Sequence, residues 1–384
     1  MRFEFATASR ILFGPGIVQQ LPQIAAEFGR RALVVTGRNR DRAMPVIAAL
    51  KRSGVDVSIY PVEGEPTLES VRAGARIAKQ GCEFVIAFGG GSALDAGKAI
   101  GALATTSGEP LDYVEVIGKG KPLEHPPLPV LAVPTTAGTG AEVTRNAVLG
   151  SPEHGVKASL RSPMMLPKVA LVDPDLTLFL PPGITAITGM DTLTQLMEAY
   201  LSSRANALAD LFCKEGLQRV ARSLRPAVAN GQDREARESM SFASLLSGLA
   251  LANAGLGVVH GFAAPLGGML DAAHGALCAA VLPLGMEINI RALRQRAPQH
   301  TALARYAGIA QILTGRSNAS AEEGAAWVAG LCKEFSISPL GSFGLQASQI
   351  PVLVEKAAKA NSMKANPIPL TSEELTEIAL RALG

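Results

Sequence analysis

The sequence predicts an α/β half built on a parallel sheet, followed by an all-helical half, and three observations carry that prediction. Short β-branched runs recur at residues 32–36, 55–60, 84–88 and 129–133, with helical stretches at 68–79 and 95–104 between several of them. Alternation of this kind belongs to parallel sheets covered on both faces. After Leu180-Pro181-Pro182 the strands give way to long alanine- and leucine-rich segments with helical spacing, which continue to residue 384. Length is the third observation, because 384 residues with 48% hydrophobic content can bury a large core and favour two domains over one. The division is placed at 1–182 and 183–384, with a small-molecule cleft expected between the two parts.

Composition excludes several functions. A net charge of +3 with interspersed signs lacks the basic bias of a nucleic-acid binder, and Arg291, Arg294 and Arg296 read as a solvated helix face. Cys82, Cys213, Cys278 and Cys332 form no C-x-x-C pair and sit among apolar neighbours as core residues do, which implies a reducing, cytoplasmic setting. The stretch Met1-Arg2-Phe3-Glu4-Phe5 has no apolar run, so no signal peptide is expected. Residues 242–259 carry no charge and approach the length of a membrane span. Ser244, Ser247, Gly248, Asn253, Gly255 and Gly257 dilute that run and no basic cluster flanks it, so a fully buried helix is expected and no membrane partner.

The chemistry begins at the end of the third strand run, in Gly89-Gly90-Gly91-Ser92-Ala93-Leu94-Asp95-Ala96-Gly97-Lys98. Glycines between a strand and a helix let backbone approach a ligand, and the helix N-terminus offers unpaired N–H groups to a phosphate. This is not a Walker A loop, since five residues separate Gly91 from Gly97 and Ala99 follows Lys98; nor is it G-x-G-x-x-G, since Leu94 takes the last glycine position. Alone, it would read equally well as a tight turn. A second loop of small and hydroxyl-bearing residues, Pro134-Thr135-Thr136-Ala137-Gly138-Thr139-Gly140, follows the next strand, and two such loops could hold a dinucleotide along its length in a Rossmann-like arrangement. The candidate cofactor residues are Gly89, Gly90, Gly91, Ser92, Asp95, Thr135, Thr136 and Thr139, with Lys157 added.

A divided set of candidate metal ligands lies in the helical half. Asp191 and Gln195 are four apart, on one helix face. His260 and His274 are separated by Pro265, Gly267 and Gly268, which places them on two successive helices converging on the first pair. Singly, each has a structural reading: His260 as a buried histidine satisfied by a carbonyl, Asp191 as a helix cap.

In order along the chain, Phe13-Gly14-Pro15-Gly16, Gly89-Gly90-Gly91-Ser92, Pro134-Thr135-Thr136-Ala137-Gly138-Thr139-Gly140, Gly189-Met190-Asp191, Asn253-Ala254-Gly255-Leu256-Gly257 and His274-Gly275 resemble the iron-containing, or group III, alcohol dehydrogenase family. That family shares its fold with glycerol dehydrogenase and dehydroquinate synthase. The resemblance implies an N-terminal dinucleotide-binding domain, a helical metal and substrate domain, hydride transfer between NAD(P)(H) and an alcohol or aldehyde, and a homodimer or larger assembly. It also implies a divalent metal, Fe²⁺ or Zn²⁺, held at Asp191, Gln195, His260 and His274. Gln195 stands where the family has a histidine, and so does Ala264, near the nicotinamide and substrate. An amide oxygen is a poorer ligand than imidazole for these metals, which leaves Asp191, His260 and His274 with an open position.

Without metal, His260 or His274 would be the catalytic donor to the developing alkoxide. Relatives preferring NAD commonly place an acidic residue after the threonine of the first strand run. Here Thr36 is followed by Gly37-Arg38-Asn39-Arg40, so Gly37, Arg38 and Arg40 join the cofactor set and NADP is favoured, with NAD the alternative. Solvent-facing loop arginines are the competing reading. Met164, Met165 and Phe262 suggest an apolar component to the substrate pocket. The alternatives to a metal-assisted dehydrogenase are a metal-independent reductase similar to maleylacetate reductase, a dehydroquinate synthase-like lyase, for which Lys157 and Lys168 are poor support, and a nucleotide-binding protein without catalysis.

Overall fold

The computed structural model describes residues 2–384; Met1, on which the N-terminal reading begins, lies outside them. The chain divides into two compact units, one spanning Ala6–Phe179 and the other Leu180–Gly384 with the N-terminal residues up to Phe5. In the first unit the strands are β1 (Arg10–Phe13), β2 (Arg31–Gly37), β3 (Asp56–Val62), β4 (Phe84–Gly89), β5 (Val130–Pro134), β6 (Asn146–Ser151), β7 (Val156–Arg161) and β8 (Val169–Val172). Its helices are α1 (Leu21–Ala25), α2 (Met44–Arg52), α3 (Leu68–Ala78), α4 (Gly91–Ala104) and α5 (Pro110–Tyr113).

Six strands form a sheet in the order β1-β8-β5-β4-β2-β3, every pair parallel, while β6 and β7 make a separate antiparallel hairpin. Each predicted run falls on a strand, with Val55 and Pro129 lying one residue before β3 and β5. The strand β4 shows why the runs read as continuously apolar: all six of its residues are buried, with Phe84, Ile86 and Phe88 on one face and Val85 and Ala87 on the other, each face in its own core cluster. Winding runs from β2 out to β3 and then back across β2 to β4, so the direction reverses between β2 and β4. Ligands of open parallel sheets bind beyond the carboxyl ends of the strands at such a reversal.

The helix α4 starts at Gly91, four residues before the predicted stretch. It packs tightly on its strand, since a Cβ at Gly97 would sit 2.5 Å from the Ala87 methyl. The four-residue strands β1, at the sheet edge, and β8, between β1 and β5, were not anticipated, nor was the hairpin.

The second unit is helical: α6 (Pro182–Leu201), α7 (Ala207–Ala229), α8 (Arg234–Ala254), α9 (Val258–Met269), α10 (His274–Arg296), α11 (Thr301–Thr314), α12 (Ala321–Glu334), α13 (Ile350–Lys359) and α14 (Ser372–Leu383). The prolines that marked the change of texture open α6, with Pro182 at its first position where a missing N–H costs nothing. The uncharged run 242–259 is two helices rather than one: α8 and α9 meet at a 99° bend, and Gly255 turns the corner at φ +79°, a conformation that glycine adopts freely. By length and composition α10 could cross a membrane, and it is mostly buried within the protein. Arg291, Arg294 and Arg296 form surface ion pairs with Glu377, Glu322 and Glu374.

Candidate metal centre and cofactor turns

Three helices of the second unit bring Asp191, His260 and His274 together, and a fourth donor that the sequence reading had assigned to the core joins them. The helix α6 supplies Asp191, the first turn of α9 supplies His260, and α10 begins with His274. One turn further along α10, Cys278 points its sulfur at both imidazoles. The four donor atoms lie within 4.8 Å of one another. Asp191 Oδ1 is 3.5 Å from His260 Nε2 and 3.9 Å from His274 Nε2, and Cys278 Sγ is 3.9 Å and 3.6 Å from the same two nitrogens. Ligands bound tetrahedrally at the usual Zn²⁺ distances stand about 3.4–3.6 Å apart, so these separations are close to those of a filled site. Asp191 Oδ1 is buried without a hydrogen-bond partner, an arrangement that costs free energy unless a cation or proton uses it. The donor set therefore fits a divalent metal.

Glycine at 275 permits this convergence. A Cβ there would lie 2.3 Å from the Ile187 carbonyl oxygen, so α10 can press its first turn onto α6 only without a side chain.

Glu198, one turn beyond Gln195 on α6, holds His260. Its carboxylate accepts from the backbone N–H of Val259 at 2.6 Å and of His260 at 3.3 Å, both at the N-terminus of α9 where negative charge is favoured. It also accepts from His260 Nδ1 at 2.7 Å. With both carboxylate oxygens accepting from N–H groups, Nδ1 is the donor to Glu198, and Nε2 is the ring nitrogen directed at the cluster. Glu198 had been given no role, although its spacing of seven from Asp191 places both on one face. A Cβ at Gly257 would lie 2.9 Å from Glu198 Oε1, which accounts for the glycine in that motif.

Gln195 takes a different position from the one expected of a ligand. Its Nε2 donates to Asp191 Oδ2 at 2.9 Å, and its Oε1 lies 2.7 Å from the Ser247 hydroxyl, whose single proton also has the Ser244 carbonyl at 2.8 Å as acceptor. The amide thus braces Asp191, and its oxygen faces Ser247 rather than the cluster.

The cluster is electrostatically tight. Burial opposes charge on His260, yet Cys278, Asp191 and Glu198 hold it well above its usual range. The sulfur of Cys278 raises His274 to about 9 against the effect of burial. Burial pushes Asp191 and Cys278 up, but the two histidines outweigh it and leave both lowered. The carboxylate, the thiol and the two imidazoles thus favour one another's charged forms.

In the first unit the predicted turns converge at the β2/β4 reversal. Thr135 N–H donates to the Gly89 carbonyl at 2.9 Å, and a Cβ at Gly89 would sit 3.4 Å from Gly37 N. Side chains at Gly90 and Gly91 would meet Thr136 at 3.3 Å and Thr139 at 2.7 Å. Gly37, Gly89–Gly91 and Thr135–Thr139 therefore share one edge, with Ser92 in the first turn of α4. Arg38 and Arg40 are exposed just after β2. Asp95 is engaged structurally: Oδ2 accepts from Val148 N–H at 2.9 Å and Oδ1 pairs with Lys98 at 2.9 Å. Lys157 lies on β7 with Glu65 as its partner at 2.5 Å, outside the three turns. Met165 and Phe262 are core residues rather than pocket lining, and Met164 is exposed.

Residues 8–174 match the family described as iron-containing alcohol dehydrogenase, and residues 185–383 match the C-terminal part of the same family. The chain is 34% identical to 1,3-propanediol dehydrogenase of Klebsiella pneumoniae, over 99% of this chain and 98% of that one. It is 33% identical to the NAD-dependent methanol dehydrogenase of Bacillus methanolicus, over 97% of each. A solved 1,3-propanediol oxidoreductase superposes with a TM-score of 0.90 at 34% identity, covering both chains fully. The sulfoacetaldehyde reductase of Bifidobacterium kashiwanohense, solved with NAD⁺, superposes at 0.86 with 31% identity, covering 99% of this chain and 98% of that one.

Proposed function

Because the chain belongs to the iron-containing alcohol dehydrogenase family and is an NAD(P)-dependent alcohol/aldehyde oxidoreductase, we propose that Asp191, His260 and His274 hold a divalent metal for that reaction. The observation that carries this is the buried, unpartnered Asp191 Oδ1 facing two imidazole nitrogens. Bound there, a divalent cation would supply Lewis acidity toward the substrate oxygen. The protein's own residues do the rest. Glu198 fixes the tautomer of His260, Gln195 orients Asp191, and the first-turn N–H groups of α4 with Gly89–Gly91 receive the dinucleotide phosphates. Small alcohols and aldehydes are the substrates, a homodimer or larger is the expected assembly, and the unpaired cysteines fit a reducing, cytoplasmic setting.

NADP is the proposed cofactor on the strength of Arg38 and Arg40, which stand at the end of β2 where an acidic residue would select NAD. The NAD named for the two relatives is the opposing consideration. Oxidation of NADPH and NADH should be followed across a panel of aldehydes with metal-loaded and chelator-stripped protein. Activity in the loaded form, lost on stripping and restored by metal, is expected. Full activity in stripped protein would overturn the metal reading and leave His260 or His274 as the donor. Replacing Arg38 and Arg40 together by alanine is expected to lower kcat/KM for NADPH roughly tenfold or more while sparing NADH. An unchanged cofactor ratio would show that both are merely solvated loop residues.

Glu198→Gln tests the support of His260. An amide cannot accept at both of its positions, so one of the two short bonds, from Val259 N–H or His260 Nδ1, must go. Metal affinity, measured by competition with a chromophoric chelator, should fall about 10–100-fold. Unaltered affinity would mean that His260 needs no such partner.

A further inference from the structure

We propose that Cys278 is a fourth metal ligand, replacing the donor lost at position 195, and that the resulting Asp191–His260–His274–Cys278 set selects Zn²⁺ over Fe²⁺. The inference rests on the metal reading above and goes beyond it in ligand and in metal. A buried cysteine is ordinarily a small core hydrophobe. Cys278 is fully buried, but its sulfur lies 3.6 Å from His274 Nε2 and 3.9 Å from His260 Nε2. Of those contacts and the Asp191 separations, the 3.6 Å and 3.5 Å ones match tetrahedral edges, and the two of 3.9 Å lie a few tenths of an ångström beyond them.

Gln195 supplies no donor in place of an imidazole, because its amide is turned to Asp191 Oδ2 and Ser247. Cys278 approaches from another helix, one turn after His274, so a single α10 face provides two donors at i and i+4. On metal binding the thiol gives its proton to solvent and a sulfur–metal bond forms. A thiolate is a soft donor, and a set of two imidazoles, one carboxylate and one thiolate suits Zn²⁺ better than Fe²⁺, which stands lower in the affinity series.

Metal-free full-length protein should be loaded with Co²⁺, which reports thiolate ligation by an intense near-ultraviolet charge-transfer band. The wild-type protein is expected to show that band. Cys278→Ser and Cys278→Ala should lose it while retaining the thermal unfolding of the metal-free wild-type protein. Second-sphere changes cost 10–100-fold in affinity, so loss of a ligand should lower Zn²⁺ affinity by at least about 100-fold. With equimolar Zn²⁺ and Fe²⁺ under anaerobic conditions, wild-type protein should retain zinc and Cys278→Ser should lose that preference. Stoichiometric Co²⁺ uptake without the band, or unchanged Zn²⁺ affinity in both variants, would overturn the role of Cys278 and leave the three-ligand reading standing. Failure to bind Co²⁺, Zn²⁺ or Fe²⁺ would overturn both.

Discussion

Asp191→Asn is expected to release the metal and to lower kcat/KM for aldehyde reduction by roughly 10³-fold. The size follows from the several kcal/mol that Lewis-acid stabilisation supplies, at about 1.4 kcal/mol for each factor of ten. Asn preserves the volume and can still meet Gln195, whose Nε2 now donates to Oδ2 at 2.9 Å, so the packing of α6 should survive. What it removes is the anionic Oδ1 facing His260 and His274, the atom that no hydrogen bond uses. Elemental analysis and steady-state kinetics on the same preparation make the check: metal content and kcat/KM should fall together, with the dinucleotide KM nearly unchanged. A variant that keeps its metal and its rate would remove Asp191 from the site. One that loses metal but keeps its rate would identify the reaction as metal-independent.

The sequence exposed the parts of this protein whose physics is local. Residues 84–88 announce a central parallel strand because both faces of β4 are buried and no polar residue interrupts them. The glycine turns were legible for a similar reason, since close approach of Gly91 to Thr139 and of Gly89 to Ala93 leaves no room for a side chain. Four-residue edge strands such as β1, half exposed, lack enough period to stand out. The ligand cluster was legible only in part. Asp191, His260 and His274 are residue types that invite a chemical reading, whereas Cys278 sits in an apolar run and looked like core. Its spacing of four from His274 was available, but the rotation of α10 against α6 is set by Gly275 on the Ile187 carbonyl, a contact between distant segments that no local pattern encodes. The same limit applied to Gln195, read as a weak ligand until its Asp191 and Ser247 partners showed where the amide points.

Lys98→Met is expected to cost about 3–5 kcal/mol of stability and to raise the dinucleotide KM more than it lowers kcat. Lys98 is fully buried on α4, where its ammonium pairs with Asp95 at 2.9 Å and donates to the Ala141 carbonyl at 2.9 Å, Thr144 Oγ1 at 3.0 Å and the Asn146 carbonyl at 2.5 Å. It thereby ties the helix that follows the first glycine turn to the segment that follows the second. Removing it takes the cation from Asp95 and a donor from each of the three oxygens, of which the Ala141 carbonyl keeps only the longer bond from the Thr144 hydroxyl at 3.3 Å. Glu142, 2% exposed, gives the loss a pH dependence. Burial raises its carboxyl from 4.5 to about 7, and Lys98 is one of the groups that pull it back down. A group raised on folding contributes its full stability below its unfolded value and loses it as pH rises through the folded one. Glu142 should therefore contribute a decline in stability between about pH 4.5 and about pH 7, read by comparing about pH 5 with about pH 8, and Lys98→Met should deepen that decline, since an ionised Glu142 then loses the Lys98 charge. Urea unfolding at both pH values reads the effect, and Glu142→Gln in each background should flatten the slope. A Lys98→Met protein as stable as wild type at both pH values would show that the buried ammonium holds nothing together.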